Sequence, residues 1–245
     1  FAVEKKLTSI LQQESIPVEK RATILHTASV SLVEEFFGNT DMLKDQTRVT
    51  NIVTNMVDFL TNNKGVLSKM LTLSSHDFYT YRHCVDVSIY AILFAKFVGI
   101  NNAKQLNIFG QAGLFHDLGK KTVSSDIINK KGPLDDNEWK TMKQHPEEGV
   151  KILKTIDGIS QDIIDGTLYH HEKIDGTGYP FGLSGEKIPF FGRLVAVCDV
   201  FSALTTHRSY SKARTPFEAL DFMVENMKNK LDKQLLTTFI KLFKG

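Results

Sequence analysis

The sequence is poor in cysteine. Cys84 and Cys198 are the two present in 245 residues, far apart and without CxxC spacing. That argues against a disulfide framework or a cysteine-zinc site and fits a reducing cytoplasm. A large charge of one sign is also lacking, since 30 Lys and Arg against 28 Asp and Glu leave a net charge of +2. Charge alone therefore implies neither a nucleic-acid polymer nor a membrane surface as partner, and anion binding must come from local placement. Long apolar runs are missing: the run from Ser88 to Ala95 is closed by Lys96, well short of the roughly 20 residues that span a bilayer. No signal peptide, no alternating β-branched run and no repeat of fixed period is visible. The chain opens at Phe1, which leaves room for an upstream segment.

What is present reads as helix. With 42% hydrophobic and 24% charged residues, the chain can build one large domain or two small ones around a solvent-excluded site. Val49, Ile52, Val53, Met56, Val57 and Leu60 recur at three and four residues and predict a core-facing helix. Ser15 and Pro17 open a helix running toward Phe37, Gly38-Asn39 tolerates the left-handed conformation of a helix stop, and Thr40 or Asp41 can cap the next helix. Asp135 with Glu138 predicts a capping box ahead of Trp139 and Met142. The fold class is all-α. A boundary near Gly65 to Ser75 divides a small helical N-terminal module (1–70), regulatory or interacting, from a larger helical domain (71–245).

Beyond that boundary seven candidate metal ligands follow in order: His83, His116, Asp117, His145, His170, His171 and Asp199. His116-Asp117 lies where the apolar turn Ala112-Gly113-Leu114-Phe115 runs into Leu118-Gly119-Lys120. Neighbours on a helix point about 100° apart, so such a pair can converge on one buried ion. A carboxylate has two oxygens and can bridge two cations where an imidazole binds one, which makes Asp117 the candidate bridge. Nitrogen and oxygen donors without thiolate suit iron, manganese, zinc or nickel better than magnesium or calcium. Lys120 can follow His116 on the same helical face and reach a phosphate oxygen.

His83, then His116-Asp117 with Gly119-Lys120, then Trp139 to Pro146 (WKTMKQHP), then His170 to Pro180 (HHEKIDGTGYP), then Ile188-Pro189 through Arg193 to Asp199 resemble the HD-GYP family of the HD phosphohydrolase superfamily. The similarity runs from His83 to Ala219. It implies an HD-type helical bundle that hydrolyses the bacterial second messenger cyclic di-GMP to pGpG or GMP in the cytoplasm. It also implies two divalent metal ions, iron first and manganese as the alternative. One would take His83, His116, Asp117 and Asp199, the other Asp117, His145, His170 and His171. Asp117 and Lys120 then stand as catalytic residues, with Lys120, Tyr179, Arg208 and Lys212 as substrate contacts. Gly176, Gly178 and Pro180 become a loop formed against the site.

The pattern has departures. Tyr79 stands where some members carry a glutamate that supplies a third metal, so two metals are expected. Ser202 replaces a usual aspartate and points to weakened or lost turnover. Asp86 and Ser211 stand where basic residues are frequent and remove charge that favours an anionic substrate. Three functions are carried forward: a dimetal cyclic di-GMP phosphodiesterase, a metal-holding receptor or scaffold without turnover, and a phosphodiesterase for another cyclic dinucleotide. His26, His76 and His207 are read as ordinary histidines, and Cys84 and Cys198 as core. The N-terminal apolar stripe is read as core packing, with a homodimer or signalling-partner surface as the alternative.

Overall fold

The computed structural model describes residues 2–44, 46–63, 65–66, 69–71, 80–206 and 213–243. Its named elements are helical, and the one β-type pairing among the described residues is an isolated bridge between Asp175 and Ser184. The N-terminal segment holds α1 (Ala2–Leu11), α2 (Val18–Gly38) and α3 (Gln46–Asn62). There follow α4 (Thr80–Phe97), α5 (Ala103–Phe115), α6 (Ser125–Ile128), α7 (Asp136–Met142), α8 (His145–Leu153), α9 (Gln161–Tyr169), α10 (Phe190–Thr205), α11 (Pro216–Asn226) and α12 (Lys233–Leu242). Short 3-10 turns lie at Thr40–Lys44, Leu118–Thr122 and Gly185–Lys187. No helix of the described residues is long and apolar enough to cross a membrane.

The apolar periods place the helices. On α3 the predicted stripe, from Val49 to Leu60, is buried against α4 and α5, so it is used up inside the chain. From His83 to Ala95 every residue of α4 except Leu93 is buried, because α2, α3, α5, α10 and α12 all pack around it. A helix apolar on all sides needs neighbours on all sides. One apolar cluster runs from Leu7, Phe36 and Met56 of the N-terminal helices to Phe94, Phe201 and Phe239. Helices α4 and α5 approach so closely that a Cβ on Gly113 would lie 2.7 Å from Ser88 Cα.

Local signals mostly hold. Asp135 and Glu138 form the predicted capping box, and α2 starts after Pro17 and stops at Gly38. The stop itself differs from expectation: Asn39 is extended, with φ −140°, and Thr40–Lys44 is a 3-10 turn, so α3 begins later than Thr40 or Asp41 would set it. Asn39 Oδ1 accepts the Asp41 N–H at 3.1 Å, a side-chain turn that competes with helix, and Leu43 is fully buried beneath it.

Asp86 also departs from its sequence-based reading. It is fully buried on α4 and accepts a hydrogen bond from His26 Nε2 of α2 at 2.8 Å. Its carboxylate therefore faces the N-terminal helices, and the pair ties α2 to α4. Breaking a buried pair of this kind costs about 3–5 kcal/mol because the remaining charge is left without its partner. His26→Leu is expected to lower the unfolding free energy by about that amount, read from the urea midpoint. His26→Leu with Asp86→Leu should recover part of the loss, with the coupling measured by the double-mutant cycle.

Candidate metal centre

Helix ends deliver the candidate ligands. His116 caps the C-terminus of α5, Asp117 leaves the helix at φ −99°, ψ 8°, and the 3-10 turn Leu118–Thr122 follows. His145 is the first residue of α8 and His170 the C-cap of α9. His83 sits in the first turn of α4 and Asp199 within α10. Gly119 lets two of these ends meet: a Cβ there would lie 1.9 Å from His145 O and 2.5 Å from Gly149 N. Only a glycine lets the turn after Asp117 lie directly on the start of α8.

All seven candidates come together, in two groups whose donor atoms lie within 4.8 Å of one another: Asp117, His145, His170 and His171, and His83, His116 and Asp199. Asp117 faces both. Its Oδ1 is 3.3 Å from His145 Nε2 and 3.8 Å from His170 Nε2, while Oδ2 is 3.4 Å from His116 Nε2 and 3.9 Å from His83 Nε2. Across the groups' interiors, His145 and His170 Nε2 are 3.3 Å apart, and His83 and His116 Nε2 are 3.2 Å apart.

Hydrogen bonding orients the rings. Nδ1 of His116 donates to Gly113 O at 2.7 Å, that of His145 to Met142 O at 2.8 Å, and that of His170 to Thr167 O at 2.8 Å. A carbonyl can only accept, so in each neutral ring the proton is on Nδ1 and the Nε2 lone pair points inward. This explains why buried Asp117 Oδ1 has no hydrogen-bond partner although His145 Nε2 is close: that nitrogen offers no N–H. Acceptors converging on one point, one of them an orphaned carboxylate oxygen, fit a bound cation.

Electrostatics agree. Burial depresses His83 and His171 below the usual histidine range and His170 to about 4, which keeps these rings neutral and available as donors. Burial would also depress His116, but Asp117 and Asp199 hold it above its ordinary value. Burial opposes ionisation of Asp117 and Asp199, yet Lys120 and His116 hold the first, and His83 the second, well below the carboxylate range. Burial pushes the thiols of Cys84 and Cys198 up, as expected of core residues. Lys120 Nζ donates to Asp117 Oδ2 at 2.6 Å, so it reaches the Asp117 carboxylate from the cleft side.

A profile described as HD domain matches residues 57–235. The chain belongs to the HD domain family, in its HD-GYP branch. This HD-GYP chain is 34% identical to the cyclic di-GMP phosphodiesterase PA4108 of Pseudomonas aeruginosa, over 91% of its own length and 54% of that protein. It is 34% identical to the 3'3'-cGAMP-specific phosphodiesterase 3 of Vibrio cholerae, over 66% of its own length and 35% of the other. It thus spans about half or less of the length of these curated relatives. Bd1817, a HDG"Y"P protein from Bdellovibrio bacteriovorus, shares its fold with a TM-score of 0.80 at 22% identity, over 98% of this chain and 78% of that one.

The cleft beside the HD-GYP centre has a volume of about 280 Å³ and is lined by Lys120, Lys130, Trp139, His145, His171 and Tyr179 among others. A cavity of about 360 Å³ between α3 and α5 carries no histidine or carboxylate in its lining, so chemistry rather than size picks the site. Tyr179 stacks on His171 with centroids 4.6 Å apart and meets Trp139 edge-on at 6.1 Å. Arg208, Lys212, Tyr79, Ser211, His76 and His207 lie outside the described residues.

Sequence reasoning missed what holds the GYP loop. Glu172 is buried, and its two oxygens accept the N–H groups of Phe181 at 2.7 Å and Leu183 at 2.9 Å. Gly178 packs so tightly beneath it that a Cβ would lie 2.4 Å from Glu172 Cα. The acidic residue beside the double histidine is visible in the sequence, but its partners nine and eleven residues on are not. Trp139, read from the sequence as a helix signal and as part of the WKTMKQHP block but not as a site residue, also walls the cleft. Glu172→Gln replaces one acceptor with an NH₂ group, and the expected loss is about 1–3 kcal/mol of stability. Limited proteolysis should cut first between 176 and 183; an unchanged cleavage pattern and melting temperature would show that Glu172 does not hold the loop.

Proposed function

We propose that this chain is a two-metal phosphodiesterase that hydrolyses cyclic di-GMP to pGpG or GMP in a reducing bacterial cytoplasm. The observation that carries the proposal is Asp117, whose two oxygens face two different sets of inward-pointing Nε2 atoms. In this reading His83, His116 and Asp199 would hold one ion, His145, His170 and His171 the other, and Asp117 would be shared by both. Iron is the first choice and manganese the alternative. Bound there, two divalent ions activate water for attack and neutralise charge growing on the phosphate oxygens.

The residues of the chain supply the rest. Two carboxylates against two dications leave the centre net positive, which suits an anionic phosphodiester. Lys120, in the cleft wall and beside Asp117 Oδ2, shifts its ammonium to a non-bridging phosphate oxygen. Trp139 and Tyr179 offer flat rings on which a base can stack. The names of the relatives support a cyclic dinucleotide, and that of PA4108 supports guanine. A second reading, a metal-holding receptor or scaffold, is favoured by Ser202, whose hydroxyl meets His83 Nδ1 where a carboxylate would strengthen the donor. Its signalling partners, or a second copy, would meet the outer faces of the N-terminal helices.

The test is turnover of cyclic di-GMP by protein reconstituted anaerobically with iron or manganese, with metal counted in the same sample. About two metals per chain with product formed is the expected outcome. Asp117→Ala should lose both metals, and its turnover should fall by more than the roughly 10–100-fold typical of changes behind the ligands. Full loading and tight binding without product would select the receptor reading, and equal turnover of 3'3'-cGAMP would overturn the preference for guanine.

A further inference from the structure

We infer that the substrate site has a second lobe, walled by the end of α2, that takes the other base of the cyclic dinucleotide. The inference rests on the function proposed above and adds where the base away from Trp139 lies and which residues hold it. The N-terminal segment then contributes to the site itself and not only to the core.

The cleft beside the metal centre continues into a neighbour. A second cavity of about 360 Å³ shares Thr80, Lys120 and Ile128 with the cleft of about 280 Å³ as a common wall. The rest of its lining is Phe37 and Gly38 of α2, Tyr81 of α4, Lys121, Val123 and Ser125. Each volume lies near the lower end of the roughly 300–1,000 Å³ of pockets that take one drug-sized ligand. A cyclic dinucleotide is larger and divided, with two bases on one ring of riboses and phosphates. Two small lobes that meet at an ammonium match that shape, with a phosphate at Lys120 and one base in each lobe.

The second lobe has the chemistry of a base site. Tyr81 is half-buried, and buried Phe37 braces its ring, with centroids 5.1 Å apart and planes at 63°. A ring held in this way is a stacking platform for a base. Lys121, exposed on the turn beside Lys120, offers an ammonium to acceptors such as guanine O6 and N7. The two helices that supply Phe37 and Tyr81 are tied together, because His26 of α2 binds buried Asp86 of α4. Gly38 leaves the lobe open: α2 ends there without a side chain, and a Cβ would meet nothing within 4 Å. Its φ is not positive, so neither backbone conformation nor packing requires glycine at this point, and a side chain can be added without moving the protein.

The experiment is calorimetric titration of the manganese-loaded full chain with a hydrolysis-resistant phosphorothioate analogue of cyclic di-GMP and, separately, with GMP. Wild type, Tyr81→Ala and Gly38→Trp are compared, with metal counted in the same samples. Each variant should weaken the analogue by about 5–150-fold, the loss of one stacked base, at the wild-type metal content. GMP should keep most of its affinity in both, because a single base still has the cleft beside Trp139 to enter. Should Tyr81→Ala fail to fold, Gly38→Trp, which adds a side chain at an open position and removes no contact, decides the question alone. Wild-type affinity for the analogue in Gly38→Trp, or an equal loss for GMP and the analogue, overturns the inference and leaves the proposed function standing. Absence of analogue binding by metal-loaded wild type overturns the cyclic di-GMP reading itself, and the inference with it.

Discussion

A carbonyl oxygen accepts hydrogen bonds and never donates them, and the candidate centre depends on that asymmetry. The last turn of an α-helix leaves carbonyls without intrahelical partners. His116, His145 and His170 each follow such a turn and stand three residues beyond the oxygen they bind: Gly113, Met142 and Thr167. The helix end gains a donor, the ring loses its choice of tautomer, and the Nε2 lone pair is aimed before any ion arrives. Groups that a helix would otherwise leave to water thereby become the supports that orient the donors behind their metal-facing atoms.

Orientation is of use only if the ends meet, and glycine governs that. Gly113 allows α4 and α5 to cross at Ser88, and Gly119 lays the turn after Asp117 on the start of α8. With a side chain at either position the backbones would separate by more than the few tenths of an ångström that donor atoms 3–4 Å apart can absorb. The same holds at the cleft, where Gly178 lies against Glu172 and the carboxylate gathers the loop that carries Tyr179. Packing of small residues and geometry of the centre are one constraint seen at two scales.

The N-terminal helices belong to this arrangement physically. They share the apolar core, and His26 binds Asp86 one turn beyond His83 on α4. A shift of α2 would therefore be felt on the helix that carries His83, whose Nδ1 faces the Ser202 hydroxyl.

Much of this was legible in the chain. Apolar period alone placed α3 and the all-α class, Asp135 and Glu138 announced α7, and seven histidines and aspartates in order named the centre, because ligand chemistry tolerates few residue types. The helix stop at Asn39 was misread, since a side-chain turn there outcompetes the left-handed conformation. Asp86 was misread because a charge in sequence carries no address: its meaning depended on His26, sixty residues away. Glu172 and Ser202 were visible as letters but not as partners. The sequence by itself determined which groups can donate to a cation and which segments are helices, because both follow from residue type and short-range spacing. Only the tertiary structure decided which proton sits on which nitrogen and which oxygen is left without one, because a hydrogen bond between distant segments exists only when packing sets its two atoms about 3 Å apart.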